Sequence, residues 1–186
     1  MRSRAVRQPA PAPLAAKQIE KVAKPVVLIG GLGMGFTLRA ALTVLGAKAK
    51  IVVSELVPAV VAWARGPMAE VFGECLDDVR VSIREIDVAE IIRAQRSAFD
   101  AILLDVDNGP EGLTRKGNDA LYNAGGLKAA KTALRPGGVL AVWSSGPNPA
   151  FTRRLKSAGF DVNEVNIRAT GRGGGARHVI WMARKR

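Results

Sequence analysis

Cysteine is nearly absent. Cys75 is the only one in 186 residues, so neither a disulfide framework nor a cysteine zinc cluster can form within the chain, which fits a reducing compartment. Histidine is equally scarce, with His178 alone, and this leaves little support for Ser-His-Asp catalysis or a histidine-rich metal site. No metal site is expected, and His178, beside Arg177 at the start of an apolar strand pattern, reads as structural. No apolar run approaches the roughly 18 residues of a spanning helix, so no membrane association is expected. No apolar h-region marks a secretory signal, although an acid-poor basic N-terminus also suits an organelle transit peptide. A cytoplasmic location is the resulting expectation. What remains is ordinary for one soluble domain, with 48% hydrophobic and 24% charged residues.

Charge is unevenly placed. The net charge is +12, but residues 1–24 carry six Lys/Arg against one Glu, and residues 168–186 carry six Lys/Arg and no acid. Residues 25–167 hold 16 basic and 15 acidic residues, so the body is almost neutral. Basic tails can neutralise phosphates, yet apart from Trp181, which lies in a strand pattern, they lack aromatics for base stacking. They read as a solvated fringe first and a nucleic-acid contact second.

The chain divides into a basic, Pro- and Ala-rich tail over residues 1–24 and a single domain over residues 25–186. Pro9, Pro11 and Pro13 favour an extended segment, and Leu14 to Val22 can form a short helix. From Val26 the elements alternate. Strands are predicted at Val26–Ile29, Lys50–Ser54, Val79–Ile83, Phe99–Leu104, Val139–Trp143, Val162–Ile167 and His178–Ala183. Helices are predicted near Thr37–Leu45, from Pro58 through Arg65, over Glu90–Gln95, from Asn118 or Asp119 to Leu134, and from Asn148-Pro149 to Gly159, with a turn at Pro136-Gly137-Gly138. Six strands separated by helices and a last hairpin strand predict an α/β fold with a doubly wound, mostly parallel, seven-stranded sheet.

The stretch Val26-Val27-Leu28-Ile29-Gly30-Gly31-Leu32-Gly33-Met34-Gly35 organises the rest. An apolar run ending in glycines and passing directly into helix-forming sequence is the strand, turn and helix start of a nucleotide-binding unit. A dinucleotide fingerprint needs a third glycine where Phe36 stands, and a P-loop needs a Gly-Lys-Ser/Thr that is missing. Gly31, Gly33 and Gly35 form Gly-x-Gly-x-Gly instead. In an open α/β sheet ligands bind beyond the carboxyl ends of the strands. There the sequence places Glu55, 22 residues after Gly33 and suited to ribose hydroxyls, then Asp87 after strand 3, and Asp105 and Asp107 after strand 4. Each can also be an ordinary loop carboxylate.

The runs VVLIGGLGMGFTLRAAL, VVSELVPAVVAWAR, FDAILLDVDNGPEGLT and LRPGGVLAVWSS together resemble the catalytic domain of the spermidine synthase family, in order and at similar spacing. The resemblance implies the class I S-adenosylmethionine-dependent methyltransferase (Rossmann-like) fold and a transferase acting in polyamine biosynthesis. It implies decarboxylated S-adenosylmethionine as aminopropyl donor and a small amine as acceptor. Gly30, Gly31, Gly33 and Gly35 would lie near the sulfonium, Glu55 on the ribose and Asp87 near adenine, with Asp105 also on the cofactor. Asp105 or Asp107 would deprotonate or orient the amine. Read from the residues alone, Tyr122 could assist but reads first as a core or rim residue, and Trp143 could line a pocket or sit in the core.

Two departures stand out. The family pattern Asp-x-x-Asp meets Asp105-Val106-Asp107-Asn108 here, and a first strand at residue 26 leaves no room for the family's N-terminal β domain. The cofactor half of a site is therefore expected to be intact and the acceptor half altered. Methyl transfer from S-adenosylmethionine to a small molecule or RNA, and a non-catalytic nucleoside-binding module, are the alternatives. Arg39 is the nearest cation for the methionine carboxylate of an intact donor. The oligomeric state is open, a homodimer among the options.

Overall fold

The computed structural model describes residues 11–105, 119–168 and 177–186. Seven strands form one sheet: β1 (Val26–Gly30), β2 (Lys50–Ser54), β3 (Val81–Arg84), β4 (Phe99–Leu104), β5 (Leu134–Ser144), β6 (Phe160–Arg168) and β7 (Arg177–Lys185). Their order is β3-β2-β1-β4-β5-β7-β6. The pairings from β3 through β5 are all parallel, while β7 runs antiparallel to both β5 and β6. The mostly parallel sheet with a final hairpin strand is the one the sequence predicts. All six residues of β4 are buried, because a central parallel strand is covered on both faces.

The period of two sorts side chains between two cores. Val27, Ile29, Ile51, Val53, Ala101 and Leu103 face α1 (Pro11–Gln18), α2 (Phe36–Val44), α3 (Pro58–Arg65) and α4 (Ala69–Phe72). Leu28, Ile102, Leu104, Leu140 and Val142 face α5 (Val88–Ala94), α6 (Asp119–Tyr122), α7 (Ala124–Ala133) and α8 (Pro149–Ser157). Fully burying each of the Val, Leu and Ile side chains among them stabilises the fold by about 1.5–3 kcal/mol.

Four local readings shift. The extended segment expected up to residue 13 is already helical at Pro11, and Ala12, Ala15 and Ile19 are buried where α1 packs on α2 and β5. Strand 3 starts at Val81 rather than Val79, because the Asp78 carboxylate accepts the Arg80 N–H at 2.9 Å, turning the chain and leaving Val79 fully exposed. The helix expected from Asn118 or Asp119 to Leu134 is two helices: Asn123 accepts the Gly126 N–H at 2.9 Å and starts α7 afresh. The expected turn at Pro136-Gly137-Gly138 is absorbed into β5 as an irregularity, since Leu134 pairs with Phe99 and Val139 with Ala101, leaving only Asp100 opposite the residues between.

Asp100 holds this irregular corner. One buried oxygen accepts from the Val26 N–H and from the Arg135 guanidinium, each at 2.7 Å, joining β1, β4 and β5 at their amino ends. Replacing Asp100 by Ala strands both donors, and urea unfolding should report a loss of about 2–3 kcal/mol. A second tie is pH-dependent. Asp78 is bonded by the Arg80 side chain and N–H, which hold its carboxyl at about 2 rather than 3.8, while Arg80 also reaches the Leu45 carbonyl at 2.7 Å. The charged form is the stabilised one, so its contribution is full above pH 3.8 and fades as pH falls toward 2. The melting temperatures of wild type and Asp78→Asn should differ at neutral pH and converge through that window.

Candidate cofactor site

Parallel strands β3, β2, β1 and β4 end side by side, so the residues following them share one edge of the sheet. At its centre is the turn after β1. Gly31, Gly33 and Gly35 have φ of 86°, 48° and 71°, in the left-handed region. Two of them do different work. A Cβ on Gly33 would meet no atom within 4 Å, so that face opens on free space, whereas a Cβ on Gly35 would strike the Phe72 ring. The third glycine makes room for α4, and the second leaves the turn open to a ligand.

Glu55, at the end of β2, is buried and holds this turn. Its Oε2 accepts the Leu32 N–H at 2.9 Å and its Oε1 accepts the Val57 N–H at 3.0 Å. A carboxylate has about four acceptor positions, so two remain for hydroxyl donors. The Ser54 hydroxyl donates to the Ile86 carbonyl, drawing the ends of β2 and β3 together. Asp87 follows Ile86 and caps α5, its Oδ1 accepting the Ala89 N–H at 2.8 Å.

Asp105 closes the constellation from β4. Its N–H donates to the Gly30 carbonyl at 3.3 Å, and its Oδ2 accepts the buried Thr37 hydroxyl at 2.7 Å. Thr37 is in the first turn of α2, so one side chain ties the glycine-turn helix to the end of β4. Among these residues, Glu55 and Asp105 meet the glycine turn directly, while Asp87 stands one strand further out. Asp107 lies outside the described residues.

The other candidates take different places. Arg39 does not point into the turn as a free cation: its guanidinium donates to the Met34 and Val71 carbonyls, each at 3.0 Å, and lies over the rings of Phe36 and Phe72. Tyr122 is buried in the second core, edge-on to Phe151. Trp143 stacks on His178 at 5.1 Å, both half-buried at the ends of β5 and β7.

Sequence reasoning missed Thr37 as a partner of Asp105, and it missed the apolar rim. Met34, Phe36, Leu56, Val57 and Ile86 are all exposed next to the strand ends. The signal was available, because Leu56 and Ile86 are apolar at loop positions adjoining the two acidic residues.

No protein-family model matches this chain. Polyamine aminopropyltransferases of Mycobacterium tuberculosis (strains CDC 1551 / Oshkosh and ATCC 25618 / H37Rv) are 30% identical to it over 154 residues, 78% of this chain and 28% of theirs. The chain thus spans little more than a quarter of the length of the curated relatives it matches. Among solved structures, spermidine synthase from Thermotoga maritima superposes with a TM-score of 0.69 at 23% identity, covering 95% of this chain and 59% of that one. A spermidine synthase in complex with the transition-state analogue AdoDATO gives 0.68 at 23% identity, over 95% and 58%. Human methyltransferase-like protein 13 in complex with SAH gives 0.66 at 20% identity, over 90% and 75%. The resemblance read from four short runs therefore extends to 154 aligned residues and to the fold, which is that of class I S-adenosylmethionine-dependent transferases.

The two glycines should separate experimentally. Gly33→Ala meets only the left-handed backbone and should cost about 1–2 kcal/mol. Gly35→Ala adds a collision with Phe72 and should cost about 2–4 kcal/mol by urea denaturation. Equal losses would mean that Phe72 moves aside freely.

Proposed function

We propose that this chain is a transferase that passes an aminopropyl group from decarboxylated S-adenosylmethionine to a small amine. The observation that carries the reading is the charge of the strand-end site. Glu55, Asp87 and Asp105 line it, and Arg39, the nearest cation, is committed to two backbone carbonyls and two aromatic rings. An intact methyl donor carries a carboxylate that needs a cation or N–H partner, whereas the decarboxylated donor is positive at both sulfonium and amine. Among the described residues Arg84, at the end of β3, is the other guanidinium on this edge, and three carboxylates with Arg39 committed elsewhere favour the second. The 30% identity to polyamine aminopropyltransferases supports the same choice.

The residues fit such a ligand. The open face of Gly33 admits a close approach, the two unused acceptor positions of Glu55 suit ribose hydroxyls, and Leu56 and Ile86 offer apolar walls beside Asp87 for adenine. The donor supplies a carbon activated by an adjacent sulfonium. Asp105 supplies the other half of the chemistry. With Oδ2 fixed by Thr37, its Oδ1 is left to orient an incoming amine and take a proton as the C–N bond forms and the C–S electron pair returns to sulfur. Small amines are the proposed acceptors and a cytoplasmic enzyme of polyamine biosynthesis the proposed setting.

Calorimetric titration with S-adenosylmethionine, its decarboxylated form and methylthioadenosine tests the donor. Preference for the decarboxylated form is expected, and preference for the intact donor would turn the reading to methyl transfer. Asp105→Asn should lower kcat by about 10²–10⁴-fold while donor affinity stays within a few-fold. Thr37→Val should fall between the two. Unchanged turnover in Asp105→Asn would remove Asp105 from catalysis.

A further inference from the structure

A second charged feature lies away from the strand-end site, in the groove between α7 and α8. This concavity of about 580 Å³ is lined by Lys128, Lys131, Arg154 and Lys185, together with Ala124, Thr132, Ser157 and Ala158. Four cations and no carboxylate share it. The four ion pairs among the described residues, Arg65–Asp77, Arg80–Asp78, Arg135–Asp100 and Arg186–Asp161, use none of them.

Three of the four are held in place by neutral groups. Lys131 Nζ donates to the Ala158 and Gly159 carbonyls at 3.3 and 2.8 Å, and Gly159 has no Cβ where that ammonium sits. Arg154 donates to the Tyr122 carbonyl at 3.1 Å and Lys185 to the Leu134 carbonyl at 2.6 Å. A carbonyl positions a cation without cancelling its charge. The groove is thus a preorganised positive field with donors to spare.

We propose that this groove binds the phosphodiester backbone of a single-stranded nucleic acid. The lining argues for backbone rather than bases, because none of the residues named is aromatic and base stacking needs an aromatic face. Between the charges the lining is largely aliphatic, from Ala124, Ala158 and the lysine stems, but it offers no large apolar anchor. All the exposed large apolar side chains among the described residues lie elsewhere, from Met34 to Ile86, and none is on α7, α8 or β7. Lys128 and Lys131 lie one helical turn apart on α7, the Lys131 ammonium reaching the end of α8 and the Lys185 ammonium reaching Leu134 at the end of α7. The binding is sequence-independent and does not depend on the proposed transfer reaction.

Fluorescence anisotropy of a labelled oligouridylate over a salt series tests this. For a single strand the slope of log K against log salt is about 0.7 per phosphate neutralised, so Lys128→Gln with Lys185→Gln should make it shallower by about 1.4 and weaken low-salt binding about tenfold. Lys128→Gln alone, at an exposed position, should remove about half of that slope and guards against misfolding of the double variant, with thermal melts as the check. Arg2→Gln, Arg4→Gln and Arg7→Gln together remove N-terminal tail charge and should leave the groove-dependent difference in place. Groove variants that bind like wild type, or loss confined to the tail variant, would overturn the proposal. So would a preference for oligoadenylate over oligouridylate, or equal affinity for polyglutamate, which would indicate base reading or an acidic protein.

Discussion

The bond from the Leu32 N–H to the Glu55 carboxylate is the constraint on which the candidate site rests. A turn of three left-handed glycines has little rigidity of its own, since glycine gives up more conformational freedom on folding than any other residue. Glu55 supplies what the glycines lack. It is placed by β2, its backbone N–H is taken by the Arg84 carbonyl of β3, and its side chain reaches across to the turn after β1. Three strand ends are thereby referred to one carboxylate. Asp105 does the same from the other side, through Gly30 and Thr37. The turn is clamped between two acids, which also gives the site its negative sign.

That sign distinguishes among chemistries the fold alone leaves equal. The class I fold serves methyl and aminopropyl donors alike, and fold does not decide function. On the proposed reading, what separates the two is the fate of Arg39. A guanidinium one helical turn into α2 was the natural partner for a donor carboxylate, yet it braces the Met34 and Val71 carbonyls between two phenylalanines. Freeing it would take a donor from one carbonyl in the turn and one in α4. On the proposed reading, the geometry that stabilises the glycine turn also selects a donor without a carboxylate.

The parts of this arrangement visible in the sequence are those set by short-range rules. Glycines before a helix, an acid at a strand end and apolar runs of strand length are local signals, and they place β1, β2, β4 and the carboxylates. What stayed hidden is set by contacts distant in sequence. Thr37 reads as an ordinary helix residue until Asp105, 68 positions away, accepts its hydrogen bond. Gly35 reads as part of a ligand turn until Phe72 is seen to fill the space beside it. The start of β3 moved because an Asx turn at Asp78 competes with strand pairing at Val79, a local contest in which hydropathy favours the losing side. Burial of α1 was equally unreadable, because an Ala- and Pro-rich segment gives no strong periodic signal and its partners lie on α2 and β5.

Sequence counting also spread the positive charge too evenly. Residues 25–167 sum to almost zero, which suggests a neutral body between basic tails. In three dimensions Glu55, Asp87 and Asp105 stand at the strand ends and Asp78 pairs with Arg80, while Lys128, Lys131 and Arg154 from that same neutral stretch meet Lys185 in a groove with no acid among its described lining residues. Near-neutrality of a segment is an average over faces of opposite sign. The sheet enforces the separation, because α7 and α8 cover one of its faces while the glycine turn leads into α2 on the other. On the two proposed readings, a small cationic substrate and a polyanion would be held at different places on one domain. The field of each patch is screened within about 8–10 Å at physiological salt, so each acts mainly on what lies close to it.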